Sequence, residues 1–189
     1  MRIRQVVYDL NCLQPKNKLD YPHCELLAKA YKRAHQRTQE VCTGGYSRGL
    51  SQITTASAAD TIALGARLAP DLNGTVLLIG NLGAGKTTLV KGIVEGLGVA
   101  SEDEVSSPTF TLIHEYGDPP RIYHIDLYRL DTAREVESLG LEDLFQTGNL
   151  ILVEWGERFP SLMPVPRTEI AITLNPDETR TIEWRRVIE

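Results

Sequence analysis

One short stretch of the sequence combines glycines, a lysine and a threonine at a spacing that suits phosphate binding. Residues 80–87, which read GNLGAGKT, match the pattern G-x-x-x-x-G-K-[ST] completely. Glycines allow backbone conformations that other residues avoid, so several N–H groups can point at phosphate oxygens beside a helix N-terminus. Lys86 would reach the β- and γ-phosphates, and the Thr87 hydroxyl would ligate Mg²⁺. The motif therefore predicts a nucleoside triphosphate site.

Two carboxylates end apolar runs downstream of this loop. Asp126 follows residues 122–125 and Glu154 follows residues 150–153. Phosphoryl transfer requires a carboxylate that helps to hold Mg²⁺ and a polar group that orients water. Because the carboxyl ends of parallel strands lie near the ligand in α/β sheets, both residues are candidates, although each could be an ordinary solvated strand end. Residues 107–111 (SPTFT) lie where a γ-phosphate sensor is expected, unless they form a plain loop.

The elements around these residues alternate between helices and strands. Ser57 and Asp60 resemble an N-cap and capping box for a helix that ends near Pro70. Further helices are predicted over residues 87–97 and 132–139. Strands are predicted over residues 75–79, 110–115, 121–126 and 150–154, followed by a hairpin of residues 169–174 and 179–187. This order predicts an α/β fold, a P-loop NTPase with a mainly parallel sheet flanked by helices and with antiparallel edge strands.

Charge divides the 189 residues into two parts. Residues 1–50 carry nine Lys or Arg and four acidic side chains, whereas residues 51–189 carry eleven and twenty-one. We predict a basic N-terminal extension over 1–50 and a P-loop domain over 51–189. The acidic domain argues against independent tight binding of RNA or DNA. No apolar run approaches the roughly 18–20 residues of a membrane span and no secretory signal is recognisable, so we expect a cytoplasmic protein without membrane contact.

Two patterns in the extension could carry chemistry, and both are interpreted as incidental. Cys12, Cys24 and Cys42 are widely spaced, so reduced thiols are favoured over a zinc site that includes His23. Residues 17–20 (NKLD) fit the N-K-x-D element of GTP-binding domains. They do not directly follow a strand-like run, however, and no D-x-x-G lies downstream of the P-loop. We therefore prefer ATP as the nucleotide.

Five blocks of sequence together resemble the TsaE family, the ATPases of tRNA threonylcarbamoyladenosine biosynthesis. In matching order and spacing, the blocks are GNLGAGKTT (80–88), SPTFTLIHEY (107–116), YHIDLYRL (123–130), LGLEDLF (139–145) and LVEW (152–155). The resemblance covers about residues 51–189. It implies an ATPase that joins the paralogous subunits TsaD and TsaB and contacts tRNA only through that complex. Hydrolysis would support repeated modification of the adenosine beside the anticodon in tRNAs that read ANN codons, with TsaD performing the transfer.

The resemblance also implies roles for individual residues. Lys86, Asp126 and Glu154 would be catalytic, with Asp126 positioning water, and Thr87 and Glu154 would hold Mg²⁺. Thr54 or Thr55, just before the first helix, lies where the family approaches the adenine. The residues implied to contact ATP are Asn81, Leu82, Gly83, Ala84, Gly85, Lys86, Thr87, Thr88, Thr54 and Trp155.

Some features of the chain leave alternatives open. Asn81 stands where the family usually has Asp, which puts a contact of that carboxylate in question. The extension is not part of the pattern, and it could dock on the acidic domain, contact tRNA in the complex or be disordered. Two other functions share the motifs, namely a small-molecule or nucleoside kinase and a non-hydrolysing nucleotide-sensing adaptor. Arg129 could stabilise transferring charge or pair with an acid, and His124 is interpreted as a packing residue.

Overall fold

The computed structural model describes residues 51–119 and 121–189. The predictions for residues 1–50, which concern the extension, its cysteines and the NKLD segment, lie outside the described residues and stay predictions. Within the described part, no helix is long and apolar enough to cross a membrane.

Strands and helices alternate through the described residues. The strands are β1 (Ser51–Thr55), β2 (Thr75–Ile79), β3 (Ile113–Tyr116), β4 (Ile122–Asp126), β5 (Leu150–Glu154), β6 (Arg167–Leu174) and β7 (Arg180–Val187). The α-helices are α1 (Ala58–Leu68), α2 (Lys86–Gly96), α3 (Ala133–Glu137) and α4 (Leu141–Phe145). Short 3₁₀ helices lie at Ala69–Asp71, Glu102–Glu104, Gly156–Arg158 and Pro160–Leu162.

The strands of this region form one sheet in the order β1-β7-β6-β2-β5-β4-β3. Strands β6, β2, β5 and β4 are parallel neighbours, while β3 at one end and β7 and β1 at the other pair antiparallel. The predicted α/β class, with a parallel core and antiparallel edges, is confirmed. Since β2, β5 and β4 run in the same direction, their carboxyl ends lie together at one edge of the sheet.

Apolar side chains fill both faces of the central strands. Along β2, Val76 and Leu78 belong to one buried cluster and Leu77 to the other, as the alternation of side chains along a strand requires. Helices α1 and α2 cover the first face and approach closely at Gly92, where a methyl group would overlap the carbonyl oxygen of Ile62. The central strands, whose ends carry the candidate site residues, are therefore packed against buried side chains on both faces.

Most predicted elements are present, and their ends differ in instructive places. The N-cap of α1 is confirmed, because the Asp60 amide donates to Ser57 Oγ at 3.0 Å. The strand predicted over 110–115 is wrong in its first half, since Leu112 has a φ of 68° and its amide donates to the carbonyl of Pro108. A left-handed residue cannot continue a β-ladder, so β3 begins only at Ile113. Strand β1 and helix α4 were not predicted.

Candidate functional site

The glycine-rich loop connects the carboxyl end of β2 to the first turn of α2. Gly83 and Gly85 have φ values of 78° and 109°, a region that residues with a side chain rarely occupy. A Cβ on Gly85 would also lie 3.2 Å from Arg180 Nε. The loop therefore takes a path that requires glycine, and it leads directly into a helix N-terminus at Lys86, as phosphate binding needs.

Lys86 lies within the loop that it is predicted to serve. Its side chain is almost completely buried, and Nζ donates to the carbonyls of Gly80 at 2.7 Å and Asn81 at 3.1 Å. The ammonium also lies 4.1 Å from the ring centroid of Trp155. Burial lowers the pKa of Lys86, and three nearby carboxylates oppose this effect. They belong to Glu154, Glu157 and Asp126.

The Glu154 carboxylate joins β5 to the phosphate loop. Its Oε1 accepts a hydrogen bond from Thr87 Oγ1 at 2.8 Å and lies 2.9 Å from His124 Nε2. Glu154 is buried, and in the β4–β5 register it stands opposite Asp126. Thr87 and both predicted acids, which are distant in sequence, therefore meet at one edge of the sheet.

The oxygen atoms at this edge fit a Mg²⁺ ion delivered with a nucleotide. Adjacent ligands of an octahedral Mg²⁺ lie about 2.9 Å apart, and the Thr87 and Glu154 oxygens are 2.8 Å apart. Among the described residues, no group of three or more His, Cys, Asp or Glu side chains could hold a metal by itself. Mg²⁺ is usually bound through one or two protein oxygens plus phosphates, and the Thr87 and Glu154 oxygens are two such protein oxygens.

Asp126 anchors the segment that was predicted to sense the γ-phosphate. Its Oδ2 accepts hydrogen bonds from Ser107 Oγ at 2.8 Å and Thr109 Oγ1 at 2.7 Å, and its Oδ1 accepts one from the Tyr128 amide at 2.9 Å. Both carboxylate oxygens are thus engaged by the chain itself. The arrangement suits a residue that organises the segment around the cleft more than one that removes a proton.

A cleft of about 320 Å³ brings most of the predicted site residues together. It is lined by Leu82, Gly83, Gly85, Lys86, Thr87, Thr88, Ser107, Thr109, Asp126, Tyr128, Glu154 and Trp155. Three predicted nucleotide contacts do not line it: Asn81 presents its carbonyl to Lys86, Ala84 is buried, and Thr54 is exposed on β1 opposite Thr181. Their roles stay predictions.

Three lining residues were not predicted as site residues. Ser107 and Thr109 carried a signal, since they lie in the SPTFT segment, but their attachment to Asp126 depends on the fold. Tyr128 lies in the block YHIDLYRL (123–130), but nothing in that block marked it as a site residue. Its ring lies 5.1 Å from that of Trp155 and so extends the aromatic wall of the cleft.

Comparison with known proteins shows the family of this chain. A family model described as "Threonylcarbamoyl adenosine biosynthesis protein TsaE" matches residues 55–183. The chain belongs to the TsaE family. It is 42% identical over 110 residues to the tRNA threonylcarbamoyladenosine biosynthesis protein TsaE of Haemophilus influenzae, a match that covers 57% of this chain and 67% of that protein.

Two matches in Bacillus subtilis extend the likeness to another curated relative and to a solved structure. The TsaE protein of B. subtilis is 43% identical over 116 residues, covering 60% of this chain and 71% of that protein. The crystal structure of B. subtilis YdiB superposes with a TM-score of 0.60 at 31% identity, over 76% of this chain and 89% of that one. The similarity thus spans the fold as well as the motifs.

Glu157 places an additional carboxyl beside the P-loop of this TsaE-family protein. Its Oε2 is buried without a hydrogen-bond partner among the described residues. Burial raises the pKa of Glu157, and backbone hydrogen bonds together with the charges of Lys86 and Arg158 oppose that effect. An acid whose pKa is higher in the folded state contributes most to stability at low pH, and this contribution is lost as the pH rises through the folded-state pKa.

We therefore expect Glu157→Gln to stabilise this TsaE-family protein at pH 8 and to have less effect at pH 4.5. The gain in the thermal midpoint at pH 8 should be about 1–3 °C, because the variant no longer ionises a half-buried carboxyl. Differential scanning calorimetry at both pH values measures it. Glu137→Gln, at an exposed site on α3, is the control and should show no such difference. A destabilised Glu157→Gln at pH 8 would contradict this account.

Proposed function

We propose that this protein is a Mg²⁺-dependent ATPase that works with TsaB- and TsaD-type subunits. Together they would form N6-threonylcarbamoyladenosine next to the anticodon of tRNAs that read ANN codons. The transfer chemistry would belong to the TsaD-type subunit, and tRNA would be contacted only through the complex. The family relationship supports the pathway, since the curated relatives are named for tRNA threonylcarbamoyladenosine biosynthesis. We place this reaction in the cytoplasm.

The observation that carries the ATPase proposal is the hydrogen bond between Thr87 and Glu154. It joins the first turn of the P-loop helix to a buried carboxylate 67 residues later in the chain. A glycine-rich turn that matched the motif by chance would have no reason to place its threonine hydroxyl 2.8 Å from an acid at a strand end. The pair supplies the hydroxyl and the carboxylate oxygens that Mg²⁺–nucleotide binding requires.

Lys86 and Asp126 have different parts in hydrolysis. Lys86 exchanges its hydrogen bonds to the carbonyls of Gly80 and Asn81 for hydrogen bonds to phosphate oxygens. It then stabilises the charge that develops as the bond between the γ-phosphorus and the β–γ bridging oxygen breaks. Mg²⁺, when bound, neutralises phosphate charge. Water adds to the γ-phosphorus as ADP departs, and both of its hydrogens leave with the inorganic phosphate, one as the new hydroxyl and one on another phosphate oxygen. Asp126 holds the segment of Ser107 and Thr109 beside the reacting group.

The isolated chain should turn over slowly because the two arginines beside the aromatic wall of the cleft, Arg129 and Arg158, have other contacts. Arg129 lies over the ring of Phe110, 4.7 Å from its centroid, and Arg158 pairs with Asp131 at 3.1 Å. Release of labelled phosphate from γ-labelled ATP tests the proposal, with the full chain alone and with TsaB–TsaD and tRNA. We expect weak release alone and a rise of at least about tenfold in the complex, lost in Asp126→Ala. No turnover in the wild-type complex would instead indicate a nucleotide-sensing adaptor.

A depression beside the cleft gives the kinase alternative some support. It has a volume of about 420 Å³, is lined by Arg129, Asp131 and Arg158, and shares Tyr128 and Trp155 with the cleft. A kinase would use such a space for an acceptor. The same labelled-ATP assay separates the two functions, because an ATPase releases inorganic phosphate with no acceptor present. Label transferred to an added nucleoside or small molecule would defeat the ATPase proposal.

A further inference from the structure

A buried histidine contacts the acid at the metal end of the cleft. His124 lies on β4, between β3 and β5, and its side chain has no exposed surface. Its Nε2 is 2.9 Å from Glu154 Oε1, the same oxygen that accepts the hydrogen bond from Thr87. Its Nδ1 is buried and has no partner among the described residues. Within residues 51–119 and 121–189, the ring therefore makes its one polar contact with Glu154.

The two contacts of Glu154 Oε1 assign the proton on the ring. An oxygen that accepts from the Thr87 hydroxyl and also lies within hydrogen-bond distance of His124 is best served by an ionised carboxylate and an Nε2–H donor. This tautomer leaves the lone pair of Nδ1 buried and unsatisfied, which generally destabilises a protein. An apolar residue would fill the same position without that cost, so packing alone does not account for a histidine.

We propose that His124 is a positioning residue that holds the Glu154 carboxylate against the Thr87 hydroxyl for Mg²⁺–nucleotide binding. The proposal rests on the ATPase function proposed above and goes beyond it. An N–H donor that bonds one carboxylate oxygen holds the carboxylate in one orientation. Groups that bond a metal ligand in this way, without touching the metal, commonly change metal affinity by about 10–100-fold. His124 acts through Glu154 and does not itself touch the nucleotide.

The test compares His124→Phe, which removes the donor, with His124→Gln, which keeps an N–H at the end of an uncharged side chain. The full chain is titrated with a fluorescent N-methylanthraniloyl derivative of ADP, in Mg²⁺ and in EDTA. In Mg²⁺, we expect His124→Phe to bind this nucleotide about 10–100-fold more weakly than the wild type. In EDTA, the variant and the wild type should bind it with the same affinity. His124→Gln should recover most of the affinity in Mg²⁺.

Each other result has a definite meaning. The positioning role would be overturned if His124→Phe kept the wild-type nucleotide affinity in Mg²⁺. It would also be overturned if His124→Phe lost the same affinity in Mg²⁺ and in EDTA, or if His124→Phe and His124→Gln lost the same affinity. If the wild type bound the nucleotide with the same affinity in Mg²⁺ and in EDTA, the result would instead contradict the proposed Mg²⁺ dependence itself. Should His124→Phe fail to fold, long-range ¹H–¹⁵N spectra of the wild type decide the question. The Nε2–H tautomer of His124 supports the proposal, and the Nδ1–H tautomer overturns it.

Discussion

Lys86→Ala should lower the rate of ATP hydrolysis by about 10²–10³-fold, the loss that follows removal of one preorganised group opposite developing charge. The Lys86 ammonium is nearly buried and already sits inside the loop, held by two carbonyls and the face of Trp155. Charge acts more strongly on a phosphate in such a partly desolvated site than it would in water. Phosphate release by the chain together with TsaB–TsaD measures the change in hydrolysis. Titration with fluorescent ADP measures the change in nucleotide affinity.

The control for Lys86 lies on the same helix. Lys91 is partly exposed and does not line the cleft, so Lys91→Ala removes the same charge from α2 away from the phosphates. It should keep turnover within about twofold of the wild type. Full activity in Lys86→Ala, or an equal loss in both variants, would show that the loop does not bind the triphosphate as proposed.

Glu154→Gln should lower hydrolysis by a similar factor of about 10²–10³, and it should also remove the effect of Mg²⁺ on nucleotide affinity. The substitution keeps the shape of the side chain and removes the charge. It leaves a neutral amide beside the Thr87 hydroxyl and the His124 ring. Fluorescent ADP titrated in Mg²⁺ and in EDTA separates the loss of metal binding from a loss of nucleotide binding.

The structure also predicts that Thr87 and Glu154 act as a unit. Thr87→Val removes the hydroxyl from the same 2.8 Å contact. The double variant should therefore hydrolyse ATP only slightly more slowly than the less active of the two single variants. Glu137→Gln is the matched control, since it removes an exposed carboxyl on α3 that does not line the cleft. It should retain turnover. Additive losses in the Thr87 and Glu154 variants would place the two side chains at separate steps.

Much of the site followed from local sequence because its parts depend on neighbours in the chain. The P-loop needs glycines that can adopt left-handed angles and a helix that begins at Lys86, and both requirements are encoded within residues 80–97. The short apolar runs that end in Asp126 and Glu154 indicated two strands with acids at their carboxyl ends. The order of these elements was enough to predict the parallel core of the sheet.

Other features could not be predicted, because they arise from contacts between distant segments. Strand β1 is mostly exposed and is defined by its pairing with β7, more than 120 residues away. Phe110 reads as the start of a strand by composition, yet the left-handed Leu112 turns the chain so that Ser107 and Thr109 reach Asp126. Propensity is a weak guide where such contacts decide the backbone.

By itself, the sequence determined the glycine-rich loop, the positions of the two acids at strand ends and the order of the elements that carry them. These depend on backbone freedom and hydrophobic period, which act over a few residues. Only the tertiary structure decided that Thr87 donates to Glu154, that Asp126 accepts hydrogen bonds from its own chain, and that His124 contacts Glu154. Those relations are set by strand register and helix packing, which bring together side chains that no local pattern connects.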